Sequence, residues 1–249
     1  MKNMLISKKI ILTFIPLVSL CIGFLFNEDL STGGSKFDFY ETLPAVVGFT
    51  ESISINFFDH TKHFPLHYFL LSIPYSIFGD DYIVRLIYLL FSLLLPIFVY
   101  LNLCEIYKGN KINFLIVSVS LLFLPYFRTS AIWANAHLTA LIFLIIANYF
   151  YIKNTIANNF LYKFNNILFL SFSVYCIQSY AVFFLFYLFN YWKKDTKKQF
   201  FYLLLICFLF SLPGFYLIFN NYKVGFLGLR FTNNLSYTII TNLSILFFF

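Results

Sequence analysis

The sequence predicts an all-α polytopic membrane protein. Three observations carry that expectation. Hydrophobic residues make up 61% of the 249, and charged residues only 11%, where a soluble domain sits near half apolar and a quarter charged. Apolar runs of helix-spanning length recur along the chain. The one long polar interruption falls early, at residues 28–65, and holds six of the ten acids, three of the nine Gly and two of the four His. The net charge of +7 is spread over short loops rather than a basic block. It therefore points to cytoplasmic loops and not to a nucleic-acid partner.

The apolar runs are read in order. Residues 10–26 form a retained first helix, too long for a signal-peptide core and without a small-x-small cleavage site. Residues 64–78 form a short second stretch holding Pro65, His67 and Pro74. Spans follow at 83–104, 112–127 and 136–152. Residues 166–191 read as two short helices meeting at Gln178, Ser179 and Tyr180. A further span covers 201–219, and a last run begins near Thr238. It stops at Phe249 without a polar flank, so the carboxy-terminal end is expected to be incomplete. Cys21, Cys104, Cys176 and Cys207 lie in or beside apolar runs at no ligand spacing, and read as small buried hydrophobes. Residues 1–249 read as one transmembrane domain, with 28–82 as an outer loop carrying interfacial helices.

Charge sets the expected direction. If residues 64–78 stay at the outer interface, eleven of the seventeen basic residues fall inside. Eight of the ten acids fall outside, with only Glu105 and Asp195 inside. That is the positive-inside pattern. It places the amino terminus in the cytoplasm and the first loop outside, as expected of a bacterial inner-membrane protein.

Several polar groups on that outer side are candidates for chemistry. Asp38 follows a turn-rich STGGSK stretch and sits among Phe37, Phe39 and Tyr40. Its carboxylate could accept a proton or, with Glu41, bind Mg or Mn. Alternatively Asp38 caps a helix starting near Phe39, with Glu41 completing a capping box. His60, Lys62, His63 and His67 cluster just before and inside the second apolar stretch. They suit a phosphate at headgroup level, or simple interfacial anchoring. Arg85 and Arg128 end two spans, where an arginine either snorkels or clamps a phosphate. Asn135 and His137 enter the fourth span, where they need partners. Gln178 and Tyr180 lie at the same depth. One active site would require Asp38, His63, Arg85, Arg128 and Gln178 to converge on one outer cavity, with a lipid-facing groove beside it.

Asp38 with its Gly-rich approach, the HFPLHYFLL stretch from His63, the FGDDYIVR stretch ending at Arg85, and Pro125 before Arg128 fall in a telling order. That order resembles membrane glycosyltransferases of the GT-C superfamily, nearest the protein O-mannosyltransferase and lipid A aminoarabinose transferase group. The resemblance implies a GT-C-like bundle with a long first outer loop carrying juxtamembrane helices. It implies inverting transfer of a sugar from a polyprenyl-phosphate donor to a lipid, glycan or protein acceptor at the outer face. Asp38 and Glu41 would be catalytic, and Lys62, His63, Arg85 and Arg128 would lie near the donor phosphate. His67, Asn135, His137, Gln178 and Tyr180 would line the pocket. The chain departs from the family in having no pair of adjacent acids at Asp38. The competing expectation is a non-catalytic lipid or sugar-lipid translocator, or a degenerate transferase remnant.

Overall fold

The computed structural model describes residues 2–51 and 63–220. The chain is a multi-helix membrane protein, all-α over these residues. In order the helices are α1 (Lys2–Leu25), α2 (Gly34–Glu51), α3 (Leu66–Phe78), α4 (Asp81–Ser92), α5 (Leu94–Ile106) and α6 (Lys111–Ser120). They continue as α7 (Pro125–Ile132), α8 (Ala136–Ala157), α9 (Phe160–Cys176), α10 (Val182–Lys194) and α11 (Lys197–Asn220). His60, Lys62 and the expected run from Thr238 lie outside the described residues.

Three helical stretches are long and apolar enough to cross a membrane: Asp81–Ile106, Ala136–Ala157 and Lys197–Tyr216. A fourth is present if Lys111–Phe123 and Pro125–Ile132, bent by 67°, form one span. The bend has a local cause. Pro125 has no N–H to continue the helix and its ring clashes with the preceding turn. The chain therefore tightens into a 3-10 turn at Leu121–Phe123 and restarts with Pro125 in the first helical turn. The gentler break at Leu93, between α4 and α5, stands one turn before Pro96 for the same reason. The expected break in residues 166–191 is also present, as a 3-10 turn at Gln178–Ala181. α9 starts six residues earlier than its apolar run, because Asn159 caps it by accepting from Leu161 N.

α8 is the axis of the bundle. Ala140 and Ala147 on it are fully buried, and small residues let neighbouring helices approach closely in lipid. Three polar side chains then reach its backbone: Asn102 Nδ2 to Ile145 O, Asn166 Nδ2 to Ala147 O, and Ser173 Oγ to Ala140 O. Polar side chains inside the bundle thus find partners on another helix. Around α8 the main core gathers Leu20, Phe39, Tyr68, Val84, Leu122 and Trp133. A smaller core of Leu144, Ile167, Leu170, Tyr187, Tyr191 and Leu203 joins α8 to α9, α10 and α11.

α3 does not run from one end of the bundle to the other. His63, just before it, packs on His137 at the start of α8, with ring centroids 5.3 Å apart. Asp81, just after it, accepts from Tyr40 Oη of α2 at 3.1 Å. Both ends of α3 are therefore met at the end of the bundle that carries α2. Thirteen residues rise about 20 Å, short of a hydrocarbon core of about 30 Å. Gly79, at φ 64, closes α3 in the left-handed conformation, and Asp80 caps α4 by accepting from Tyr82 N. The Phe-Gly-Asp-Asp stretch is thus a stop signal followed by a start signal.

Candidate functional site

The sequence expects Asp38 either to cap a helix or to do chemistry. Capping falls to other residues. α2 begins at Gly34, not near Phe39. Ser31 Oγ accepts from Ser35 N, and the Asp29 carboxylate accepts from Ser31 N and Lys36 N. Burial alone would raise the Asp29 carboxyl, but the Ser31 and Lys36 hydrogen bonds outweigh it and hold it below the usual range. Asp38 is left in the second turn of α2, exposed, with no hydrogen bond to its carboxylate among the described residues.

Asp38 lines a cavity of about 110 Å³ together with Glu41, His63, His67, Asn135 and His137. α2 supplies the acids, the start of α3 the first two histidines, and the α7–α8 turn the rest. Asp38 is close enough to act electrostatically on His137. Asn135 is paired as the helix cap of α8, accepting from His137 N at 2.9 Å. Trp133 and Phe39 form the aromatic wall.

The floor is a buried hydrogen-bonded chain. His67 Nδ1 is 2.8 Å from Thr139 Oγ1, which is 2.8 Å from Tyr88 Oη, which donates to Asn135 O. The His67 ring also hydrogen-bonds the Ala134 backbone. Burial holds the His67 imidazole down to about 3, assisted by repulsion from His63 and His137. His67 is therefore neutral at physiological pH and serves as a fixed polar floor.

Ala134 in the same wall has φ 49, in the left-handed region that favours glycine. It ends α7, and the Asn135 N–H reaches back to Ser130 O at 3.0 Å. That is a Schellman-type closure with Ala where Gly is usual. The α7–α8 turn thus carries backbone strain at the cavity wall. Nothing in the sequence around Ala134 signals it.

The expected convergence is partial. Arg128 does not line this cavity. Its guanidinium donates to both Glu28 carboxylate oxygens, at 2.7 and 2.5 Å, and to Ser19 Oγ and Ser19 O. Arg85 donates through two nitrogens to Asn27 Oδ1 at 3.0 Å and lies 4.2 Å over the Trp133 ring. Both arginines are buried, and a buried guanidinium requires such partners. They clamp the Asn27–Glu28 end of α1 onto α4 and α7, and Trp133 stands between Arg85 and the cavity. Gly23 permits the clamp: a Cβ there would lie 2.5 Å from Glu28 Oε2 and 2.6 Å from Arg128 Nη2.

Gln178 and Tyr180 also lie away from the cavity. Gln178 lines a separate apolar groove of about 400 Å³ between α9, α10 and α11. Phe64, next to cavity-lining His63, forms part of its wall. Tyr180 packs against both cores. Beside the cavity, though not lining it, stands a cation that sequence reasoning did not select. Lys36, five residues before Glu41, sets its ammonium 5.7 Å from the centre of the Trp133 ring. Among the described residues no three His, Cys, Asp or Glu side chains gather as a metal ion would need. Comparison with protein-family models, with curated proteins and with solved structures finds no match for this chain.

Proposed function

We propose that the chain is a GT-C-type inverting glycosyltransferase that moves a sugar from a polyprenyl-phosphate donor to a lipid, glycan or protein acceptor at the outer membrane face. The observation that carries this reading is Asp38. It lines a histidine-rich cavity, and the capping of α2 is performed by Ser31 and Asp29 instead.

In the reaction the acceptor hydroxyl oxygen attacks the anomeric carbon. The bond from that carbon to the phosphate oxygen breaks, and its electron pair leaves with the polyprenyl phosphate. Asp38 takes the hydroxyl proton. Because the phosphate is already a good leaving group, positioning and charge neutralisation remain as the main tasks. With Arg85 and Arg128 engaged by Asn27 and Glu28, charge neutralisation falls to Lys36, with Lys62 in the adjoining segment, and positioning to His63 and His137. A Mg or Mn ion at Asp38 and Glu41 is a separate proposal, tested by transfer in excess EDTA; the step above does not pass through it. A translocator would need a polar path through the bundle. The closed His67–Thr139–Tyr88 floor favours a one-sided site.

The test uses the purified chain in nanodiscs with a radiolabelled polyprenyl-phosphate sugar. Asp38→Asn is expected to lower transfer by about 10²–10⁴-fold, with the fold judged intact by melting. Unchanged transfer in that variant, or no transfer from any polyprenyl-phosphate sugar, overturns the reading. The sidedness is tested separately, with cysteines placed at Lys36, Asn110 and Thr196. An impermeant thiol reagent should reach only the first in intact cells.

A further inference from the structure

Downstream of Asp81 the chain holds only two acids, Glu105 and Asp195. Both are taken. Lys153 Nζ meets Glu105 Oε1 at 2.5 Å, and Lys163 Nζ meets Asp195 Oδ1 at 2.6 Å. The second pair is buried, with the Asp195 side chain 3% exposed. It changes what the turn between α10 and α11 presents. Residues 193–198 read KKDTKK, four lysines around one acid. With that acid drawn inward onto α9, Lys193, Lys194, Lys197 and Lys198 are all exposed. Among the described residues none of the four has a carboxylate partner.

Local structure does not account for all four. Lys193 and Lys194 stand in the last turn of α10, where a cation complements the helix dipole. Lys197 and Lys198 open α11, where the dipole favours acids and opposes cations. A residue placed against its own helix marks a position kept for another purpose. The positive-inside rule asks for lysines beside a helix end, but not for the single acid among them to be withdrawn.

The turn also carries the marks of headgroup depth. Trp192 is 63% exposed and packs on Phe189, ring centroids 6.2 Å apart. Phe201, three residues after Lys198, is 65% exposed. An exposed tryptophan at the end of an apolar helix belongs to the membrane–water interface. Lys193 Nζ lies 4.1 Å from the centre of the Phe189 ring. Its side chain folds back along α10 toward the apolar turns, which holds the ammonium beside the interface rather than out in water.

We propose that the α10–α11 turn binds the headgroup phosphate of an anionic phospholipid between the Lys193–Lys194 and Lys197–Lys198 pairs, with the acyl chains against Phe189, Trp192 and Phe201. A zwitterionic headgroup brings its own ammonium, which four lysines without an exposed acid repel. The turn therefore selects net negative charge. The inference goes beyond the transferase reading and does not rest on it. The Asp195–Lys163 contact places this turn near the end of α8, and the polar cavity lies at the start of α8.

The experiment reads lipid contact through tryptophan fluorescence. The chain has two tryptophans. Trp133 is 1% exposed, so a quencher on lipid chains reports Trp192. The full chain is reconstituted in nanodiscs of phosphatidylcholine with a minor fraction of phosphatidylglycerol, and one lipid or the other carries brominated chains. At equal mole fraction, brominated phosphatidylglycerol should occupy the site beside Trp192 at least about fivefold more strongly than brominated phosphatidylcholine, the effect of one lysine at a charged surface. Molar salt, with a Debye length of about 3 Å, should reduce the preference. Replacing all four residues, Lys193→Gln, Lys194→Gln, Lys197→Gln and Lys198→Gln, should bring it to unity, with the fold checked by melting. Lys108→Gln with Lys111→Gln, exposed lysines of the α5–α6 turn, should leave it unchanged. Equal quenching by the two lipids overturns the proposal and leaves the lysines to a partner other than lipid. A preference that survives the fourfold replacement overturns it, as does equal loss in the Lys108 and Lys111 variant, which marks diffuse charge. Loss of the preference in millimolar inorganic phosphate assigns the turn to a soluble anion and overturns it too.

Discussion

His67 Nδ1 and Thr139 Oγ1 meet at 2.8 Å, and through that contact the first turn of α3 is registered against the first turn of α8. The same hydroxyl meets Tyr88 Oη at 2.8 Å. Thr139 is fully buried. One hydroxyl thus serves two other helices, and the cavity floor depends on it.

Thr139→Val keeps the shape and removes the hydroxyl. It should destabilise the protein by about 1–2 kcal/mol, because a hydrogen bond is lost and His67 or Tyr88 is left unsatisfied. Thr139→Ser should retain most of the stability. Thermal melting in detergent distinguishes them. Equal melting of the Val variant and the unsubstituted chain would show that the floor has other support.

The Glu28–Arg128 pair gives a dependence on pH. The Arg128 hydrogen bond holds the Glu28 carboxyl below its ordinary value of 4.5, against a smaller opposing effect of burial. A depressed carboxyl contributes stability that is complete above its unfolded value and is lost as pH falls through its folded value. The melting temperature should therefore fall in the acid range below about 4.5. Glu28→Gln should flatten that part of the curve. Gly23→Ala, whose methyl would press on both partners, should produce the same flattening without altering either charged residue.

Ala134 offers the opposite direction of change. A left-handed conformation costs a non-glycine residue about 1–2 kcal/mol. Ala134→Gly should recover part of that, less the entropy glycine loses on folding, and raise the melting temperature. Ala134→Val should lower it, since a β-branched side chain at positive φ is a severe outlier. A gain for Val over Ala would contradict the strained turn.

At the other end of the bundle Lys163 Nζ meets Asp195 Oδ1 at 2.6 Å, with the side chains 1% and 3% exposed. Removing one partner of a buried pair leaves an uncompensated charge, at about 3–5 kcal/mol. Asp195→Asn should therefore be much more destabilising than the double replacement Lys163→Met with Asp195→Leu. A double-mutant cycle measured by melting checks this. Additive effects would show that the two groups do not depend on each other.

Part of the local structure was legible from particular residues. The polar Gln178-Ser179-Tyr180 marks the division of α9 from α10, whereas 83–104 and 112–127 read as unbroken spans and the structure interrupts both, before Pro96 and before Pro125. Glu105 and Asp195, the two acids expected on the same side, pair with Lys153 and Lys163. The division at Gln178 acts over one or two turns, so chain order reveals it.

The candidate site was legible only in part. Asp38, Glu41, His63, His67, Asn135 and His137 do share a cavity, because the turns that carry them gather at one end of the bundle. The fate of the arginines was not readable. Arg128 lies 100 residues from Glu28, and Arg85 58 from Asn27. Nothing in the spacing selects those partners over a bound phosphate. Nor could the sequence assign capping to Asp29 and Ser31 rather than Asp38, since all three suit the role.

The sequence by itself determined that the chain is helical and membrane-bound, and that residues 166–191 divide at Gln178. Those properties follow from hydropathy, backbone sterics and short-range capping. The tertiary structure alone decided which polar groups meet. In a soluble helix an apolar stripe identifies the buried face. Here the outward faces also carry large apolar residues, Leu185, Phe201 and Phe208 among them, so that signal is weakened. The inward faces are chosen by small residues on α8 and by Asn102, Asn166 and Ser173 finding its carbonyls. Such matches exist only between helices that have already packed.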